Sequence, residues 1–403
     1  MRAWSTLCLA LLFSGCANNF IEDYEVAEPR LMGVKVELQE DAENPRPHLG
    51  QSFNLRQYIA VPGPLTTPLQ GRYAMALSLC LGFKTALGTL ACVSEQDLAP
   101  VLTPVSDTEI LLSGLHLDLS SLGVPAGLGS LDIASFPQLK DLDRLALFGV
   151  FCVDGTPERV PGKSVQTDAP SQVFRCTNNA GVKYPDPTTF TLSVFLDRGL
   201  PSDTNKNPSF ACDPSTPDSP CFVGVQKDGE PMMGGSIVLV SPKPKEQGAL
   251  RTVVPWPSVE DPNTLPAQGC ANLPDLLQVH AGDDAHIIRV RFDPSDRETY
   301  MQQISINGVP SIRPQRESLD LTSALTIKGG KLGEFESLLL GSAADAEGQI
   351  SVSYTPPKQS TDPLAAIPQN GRLVRFYFTL RDQRGGLDYT QRALCLVPAA
   401  DQQ

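Results

Sequence analysis

Positive charge is in short supply. The chain has 32 Lys and Arg against 45 Asp and Glu, for a formal net charge of −13 over 403 residues. A surface of that sign repels phosphate backbones and anionic lipid headgroups, so nucleic acid is not expected as a partner. Charged residues of both signs make up only 19% and aromatics 6%. Of the two Trp, Trp4 lies in the opening apolar stretch, which leaves Trp256, between Pro255 and Pro257, to stack on a sugar. That scarcity weighs against carbohydrate binding. The four His are His48, His116, His280 and His286. No Cys-x-x-Cys, Gly-x-Ser-x-Gly or His-Glu-x-x-His occurs. Zinc-ribbon, nucleophile-elbow and zinc-protease chemistry each need one of those spacings. The paired acids Asp141/Asp143 and Glu334/Glu336 are ordinary in an acidic chain, and no catalytic residue is assigned. The apolar run Leu7 to Phe13 is far short of the ~20 residues that cross a bilayer, and nothing later is long and apolar enough to be a transmembrane helix.

Pro (36) and Gly (32) are plentiful, and period-two alternation recurs. Tyr73, Met75, Leu77 and Leu79 alternate with Ala74, Ala76, Ser78 and Cys80. Phe190, Leu192 and Val194 alternate with Thr191 and Ser193. Ile288 and Val290 alternate with Arg289 and Arg291, and Ile350, Val352 and Tyr354 with Ser351 and Ser353. Val374, Phe376, Phe378 and Leu380 alternate with Arg375, Tyr377 and Thr379. Each reads as a strand with one buried face, separated from the next by turn formers. Short helices are expected only at 136–148 and 332–340. The fold class is therefore mainly β, as tandem antiparallel sandwiches with long loops and disulfides. The turn-rich stretch 197–208 divides the chain into modules at 31–200 and 205–398. Leu31–Leu38 followed by a Gly turn resembles the opening of Ig-like domains. The two strands around Arg381-Asp382-Gln383-Arg384-Gly385-Gly386 resemble the closing hairpin of bacterial Ig-like and PKD-type modules.

The N-terminus orders a basic residue (Arg2), an apolar middle and the small residues Ser14 and Gly15 before Cys16, which is the order of a secretory signal. Leu12-Phe13-Ser14-Gly15-Cys16 resembles a bacterial lipobox, with Phe13 where Leu is usual. The resemblance implies a signal peptide at 1–15, lipid on Cys16, and a tether over 16–30 that holds the protein at a membrane. Several acyl chains on one residue anchor firmly, at about 0.8 kcal/mol per buried CH₂. Ala17 is not Asp, which by the usual sorting rule implies the outer membrane. With the Cys80/Cys92 pair and Asn205-Lys206-Asn207-Pro208, the lipobox also resembles uncharacterised surface lipoproteins of myxobacteria and their relatives. That resemblance implies no particular activity.

Ten cysteines occur. With Cys8 in the signal and Cys16 lipidated, eight remain, an even number in an exported chain. Sequence leaves about 105 pairings open. Nearest neighbours give Cys80–Cys92, Cys152–Cys176 and Cys212–Cys221, leaving Cys270–Cys395.

Three segments invite a ligand. The linker Asp203-Thr204-Asn205-Lys206-Asn207-Pro208 resembles the calcium joints of cadherins, which implies Ca²⁺ ligation by Asp197, Asp203, Asn205 and Asn207. Lys206 stands where cadherins carry a carboxylate, and the preferred reading is a plain turn-rich linker whose Asn side chains cap backbone groups. His280-Ala281-Gly282-Asp283-Asp284-Ala285-His286 gathers two imidazoles and two carboxylates, a transition-metal set that also reads as a turn. Gly162-Lys163-Ser164 matches the end of a phosphate loop, but Pro157 stands where the first Gly is required. The expected protein is a lipid-anchored, non-enzymatic binding or structural protein of the cell envelope, adhesion-like, with an unknown protein or glycan partner. Alternatives are an accessory subunit of an envelope or export complex, or a carbohydrate-binding protein.

Overall fold

The computed structural model describes residues 25–26, 29–39, 47, 50–63, 72–84, 90–99, 101–106, 108–116, 144–178, 181, 188–195, 236–242, 244, 250–257, 265–291, 299–306, 309–316, 319–326, 332–335, 342–343, 349–360, 366–381 and 386–399. Nearly all of its regular structure is strand. The first half carries β1 (Glu25–Val26), β2 (Arg30–Leu38), β3 (Phe53–Ala60), β4 (Tyr73–Lys84), β5 (Leu90–Leu98) and β6 (Val101–Ser106). It continues with β7 (Glu109–Leu115), β8 (Arg144–Val153), β9 (Gly155–Arg159), the one-turn helix α1 (Pro170–Val173), β10 (Phe174–Asn178) and β11 (Thr188–Phe195). The second half carries β12 (Ser236–Val240), β13 (Val253–Pro255), β14 (Leu277–His280), β15 (His286–Arg291), β16 (Thr299–Ile306) and β17 (Val309–Arg316). After these come β18 (Asp320–Thr326), β19 (Glu334–Phe335), β20 (Ser342–Ala343), β21 (Gln349–Thr355), β22 (Arg372–Arg381) and β23 (Leu387–Val397).

Four sheets pair off face to face. In the first half, β2-β3-β7-β6 lies against β11-β8-β4-β5. Period-two alternation sends Phe53, Leu55 and Ile59 of β3 and Ile110, Leu112 and Leu115 of β7 inward. They meet Leu77 and Leu79 of β4 and Leu145, Leu147 and Phe151 of β8 in one core. The outer face of β4 and β8 is covered too. Val165, Val173, Phe174 and Cys176 close over Cys80, Ala146, Phe148, Val150 and Cys152, so β9, β10 and α1 form a flap on this sandwich.

In the second half, β13-β12-β15-β21-β19 faces β14-β23-β22-β18-β1, with β20 added beside β18. Ile237, Leu239, Ile288, Val290, Ile350, Val352 and Tyr354 from one sheet meet Leu321, Leu325, Val374, Phe376, Phe378, Leu394 and Leu396 from the other. Trp256 lies in this core, edge-on to Phe376 with ring centroids 4.9 Å apart. β22 and β23 pair antiparallel from Arg372↔Leu396 to Arg381↔Leu387, the hairpin expected from the sequence. Two edge pairs depart from the antiparallel expectation: β1 on β18 and β14 on β23 are parallel.

Both expected helices are corrected where the structure describes them. Residues 144–148 belong to strand β8. A strand buried on both faces reads as an unbroken apolar run, which periodicity alone does not separate from a helix. In 332–340, Glu334–Phe335 pairs with β21, and Gly333 has φ 140°, outside any right-handed helix. Residues 136–143 and 336–340 lie outside the described set.

Phe376 sits among Trp256, Tyr354 and Phe378, with ring centroids 4.9, 5.0 and 6.3 Å away. Phe376→Ala is expected to destabilise the second half by about 3–5 kcal/mol, read from equilibrium urea denaturation. An unshifted midpoint would refute this packing.

Candidate functional site at the joint between the sandwiches

Strand β22 is buried at nine successive positions, Arg372 to Leu380. Val374, Phe376, Phe378 and Leu380 point into the sandwich, as alternation predicts. The opposite face was expected to meet solvent. It is buried instead: Arg375 is 1% exposed, and Tyr377 and Thr379 are 0% exposed. Two covers account for this correction. Over one end lies the turn at Cys270–Asn272, where Cys270 and Leu276 pack on Leu373, Ala393, Cys395 and Val397. There the Arg375 guanidinium donates to the Leu265 carbonyl at 2.9 Å. Over the other end lies the first sandwich, which contributes Met32 and Ala60 to a cluster with Val26, Ala324 and Tyr377.

This joint is bonded as well as packed. The Tyr377 hydroxyl donates to the Val61 carbonyl at 2.6 Å and accepts from the Val61 N–H at 3.3 Å. Tyr389 stacks on Tyr58 at 4.6 Å between centroids, and its hydroxyl donates to the Ile59 carbonyl at 3.4 Å. Gln391 Nε2 donates to Thr108 Oγ1 at 3.0 Å. The Arg381 guanidinium donates to the Met32 carbonyl, and burial holds this cation below its ordinary pKa. Gly33 lets the strands meet: a Cβ there would lie 2.6 Å from Leu387 Cδ1 and 3.1 Å from Thr379 Cγ2. The ladder of β2 on β3 shifts register between Leu31 and Gly33, as a glycine inside a strand often marks. Finally β1, ahead of the first sandwich, pairs with β18 of the second through Glu25↔Leu325 and Val26↔Thr326. Residues 16–30 were expected to be a tether, and Glu25 and Val26 within it form this strand.

None of these contacts was expected from the sequence. The signals present were Tyr377 on a face otherwise polar and Gly33 in mid-strand.

The segments singled out from the sequence fall as follows. Disulfides join Cys80 to Cys92, Cys152 to Cys176, and Cys270 to Cys395. Cys212, Cys221, Cys16 and the calcium set Asp197, Asp203, Asn205 and Asn207 lie outside the described residues. At 280–286 the Asp283 carboxylate accepts from the His280 N–H at 3.2 Å and contacts His286 Nε2 at 3.4 Å. His280 Nδ1 is 2.9 Å from the Pro398 carbonyl. The segment is a bonded turn, and among the described residues no three His, Cys, Asp or Glu group to hold a metal. Gly162-Lys163-Ser164 lies in the connection from β9 to α1 within the flap, with Gly162 and Lys163 exposed. Lys163 pairs with Asp168 at 2.6 Å and holds its carboxyl below the ordinary value, while the Ser164 hydroxyl donates to Glu95. Trp256 is 2% exposed and its indole N–H donates to the Ala393 carbonyl at 2.9 Å, so it presents no face to a sugar.

Two outcomes are expected. Tyr377→Phe leaves both buried groups of Val61 without their partner and should destabilise the protein by about 1–3 kcal/mol. A denaturation curve coincident with that of the parent would show that the hydroxyl does not bridge the halves. Burial holds His286 below its ordinary 6.5, with Asp283 opposing. The unfolded chain therefore takes up this proton first, and stability is lost as pH falls below the unfolded value. His286→Gln should reduce the drop in urea midpoint between about pH 7.5 and about pH 5.5. An equal drop in both proteins would exclude His286 as the source.

No protein-family model matches the sequence, and neither does any curated protein. Among solved structures the chain is similar to red sea bream transglutaminase, at 8% identity over 91% of this chain and 31% of that one, with a TM-score of 0.18. It is similar to the Yersinia pseudotuberculosis adhesin InvE, at 10% identity over 87% of this chain and 55% of that one, with a TM-score of 0.18. A 1.5-MDa bacterial ice-binding adhesin gives 9% identity over 93% of this chain and 65% of that one, with a TM-score of 0.17. The chain thus spans between 31% and 65% of the length of these proteins. At these TM-scores no site or activity transfers from any of them.

Proposed function

We propose that this chain is an exported, lipid-anchored envelope protein with a non-enzymatic binding or structural role of the adhesion type. It is held to the outer membrane through Cys16 and meets a protein or glycan partner through its loops. The observation that carries the reading is a secretory-type start ending in Ser14-Gly15-Cys16, ahead of a fold with three disulfides. Disulfides form and persist in oxidising compartments. Sandwich loops are the usual seat of binding on such scaffolds, though the fold alone does not select a ligand. The buried Trp256 favours a protein partner over a sugar.

The test is intact-mass analysis of protein from native membranes, before and after reduction. The expected result is acyl mass on Cys16 and a gain of eight protons, one for each cysteine left after Cys8 and Cys16. Cys16→Ser should move the protein to the soluble fraction. An unacylated Cys16, or membrane retention of the variant, would overturn the anchoring. Crosslinking on cells then separates a dispersed surface binder from a stoichiometric subunit of an envelope complex.

A further inference from the structure

We propose that the seam between the two sandwiches is the membrane-facing part of the molecule, so that both sandwiches lie beside the lipid surface instead of extending from it in series. The proposal rests on lipid anchoring at Cys16. It commits to a bilayer surface as the occupant of this side. Its basis is where the anchored segment enters the fold.

Strand β1 is not part of the first sandwich. It adds to the edge of β18 in the second, with Glu25 opposite Leu325 and Val26 opposite Thr326. Val26 is 0% exposed and packs with Met32 and Ala60 of one half and Ala324 and Tyr377 of the other. The chain then enters β2 at Arg30, opposite Ala60, and the Arg30 guanidinium donates back to the Glu25 carbonyl at 3.4 Å. The anchored end therefore meets both sandwiches at their seam, within a few residues of each.

Chain length sets the reach. Glu25 is nine residue steps on from Cys16, and a fully extended chain covers about 3.3–3.6 Å per residue, so the seam stays within roughly 32 Å of the acyl chains. From the seam, neither half recedes beyond the reach of that segment. Exposed Ser52 lies eight residues before Ala60, at the far end of β3. Exposed Gln369 lies in the turn just before β22, whose far end at Arg372 is five residues before Tyr377. At about 3.3 Å per residue, Ser52 is roughly 26 Å from the seam, and Arg372, with Gln369 in the turn beside it, roughly 17 Å. In a serial arrangement, Gln369 would stand farther from the lipid by a whole sandwich, on the order of 40 Å.

The experiment uses the full acylated chain in vesicles of phosphatidylcholine and phosphatidylethanolamine with an acceptor dye on the phosphatidylethanolamine headgroup. A donor is placed at Ser52→Cys in one sample and at Gln369→Cys in another. Energy transfer to the bilayer is expected from both positions. Transfer from Ser52→Cys with none from Gln369→Cys would overturn the proposal. Flotation with the vesicles reports anchoring separately. A chain that does not float refutes acylation, and coupling Cys16 to a maleimide lipid then supplies the anchor, after which the same pair of transfers decides the seam.

Discussion

A strand with nine successive buried residues needs a cover on each side, and β22 sets the terms for everything around it. The facing sheet supplies one cover. The other is divided between the disulfide-held turn at Cys270 and the first sandwich. Burying a hydroxyl or a guanidinium is tolerable only where its polar atoms find partners. Tyr377 finds both groups of Val61, and Arg375 finds the Leu265 carbonyl. The two halves are therefore not beads on a string. Each completes the burial of the other.

The same requirement explains why arginine recurs under the loops. Arg372 donates to the Ala366 carbonyl at 3.0 Å, Arg375 to Leu265, and Arg392 to the Trp256 carbonyl at 3.2 Å. In each case the acceptor is a backbone carbonyl outside the named strands. Burial lowers the pKa of Arg392, with Asp388 opposing, yet a guanidinium remains charged far above neutral pH. Trp256 and Arg392 lock reciprocally, since the indole donates to Ala393 while its own carbonyl accepts from Arg392. Loops pinned in this way carry their outer residues on a rigid support, which a binding surface requires.

Much of the fold could be read from alternation, because one buried face leaves a period-two trace. β4, β11, β15, β21 and β22 were all legible in this way. The nearest-neighbour scheme included the three disulfides that the structure shows: Cys80–Cys92 joins the antiparallel neighbours β4 and β5, Cys152–Cys176 ties the flap to β8, and Cys270–Cys395, 125 residues apart, was the pair left over. Alternation failed where burial was two-sided. Leu145 to Phe148 looked helical because both faces of β8 are apolar. Tyr377 and Thr379 looked solvated because polarity of a side chain does not report what another module places over it. Contacts such as Tyr377 with Val61 span 316 residues, and no local pattern encodes a partner so distant. Gly33 was visible as a letter, but its purpose depends on Leu387.

Strand β1 has a further consequence for how the molecule comes to exist. Its partner β18 lies about three hundred positions later in the chain, so the first segment to emerge must wait for one of the last. Long-range pairing of this kind slows folding, because loop closure precedes the contacts that reward it. Until β18 arrives, the apolar side of Val26, Met32 and Ala60 has nothing to cover it. Exposed surface of that sort invites aggregation during synthesis. On the proposed lipid anchoring at Cys16, a nascent chain fixed close to β1 would keep that unfinished edge in place while the rest is delivered to it, and the anchor would then serve as a folding aid.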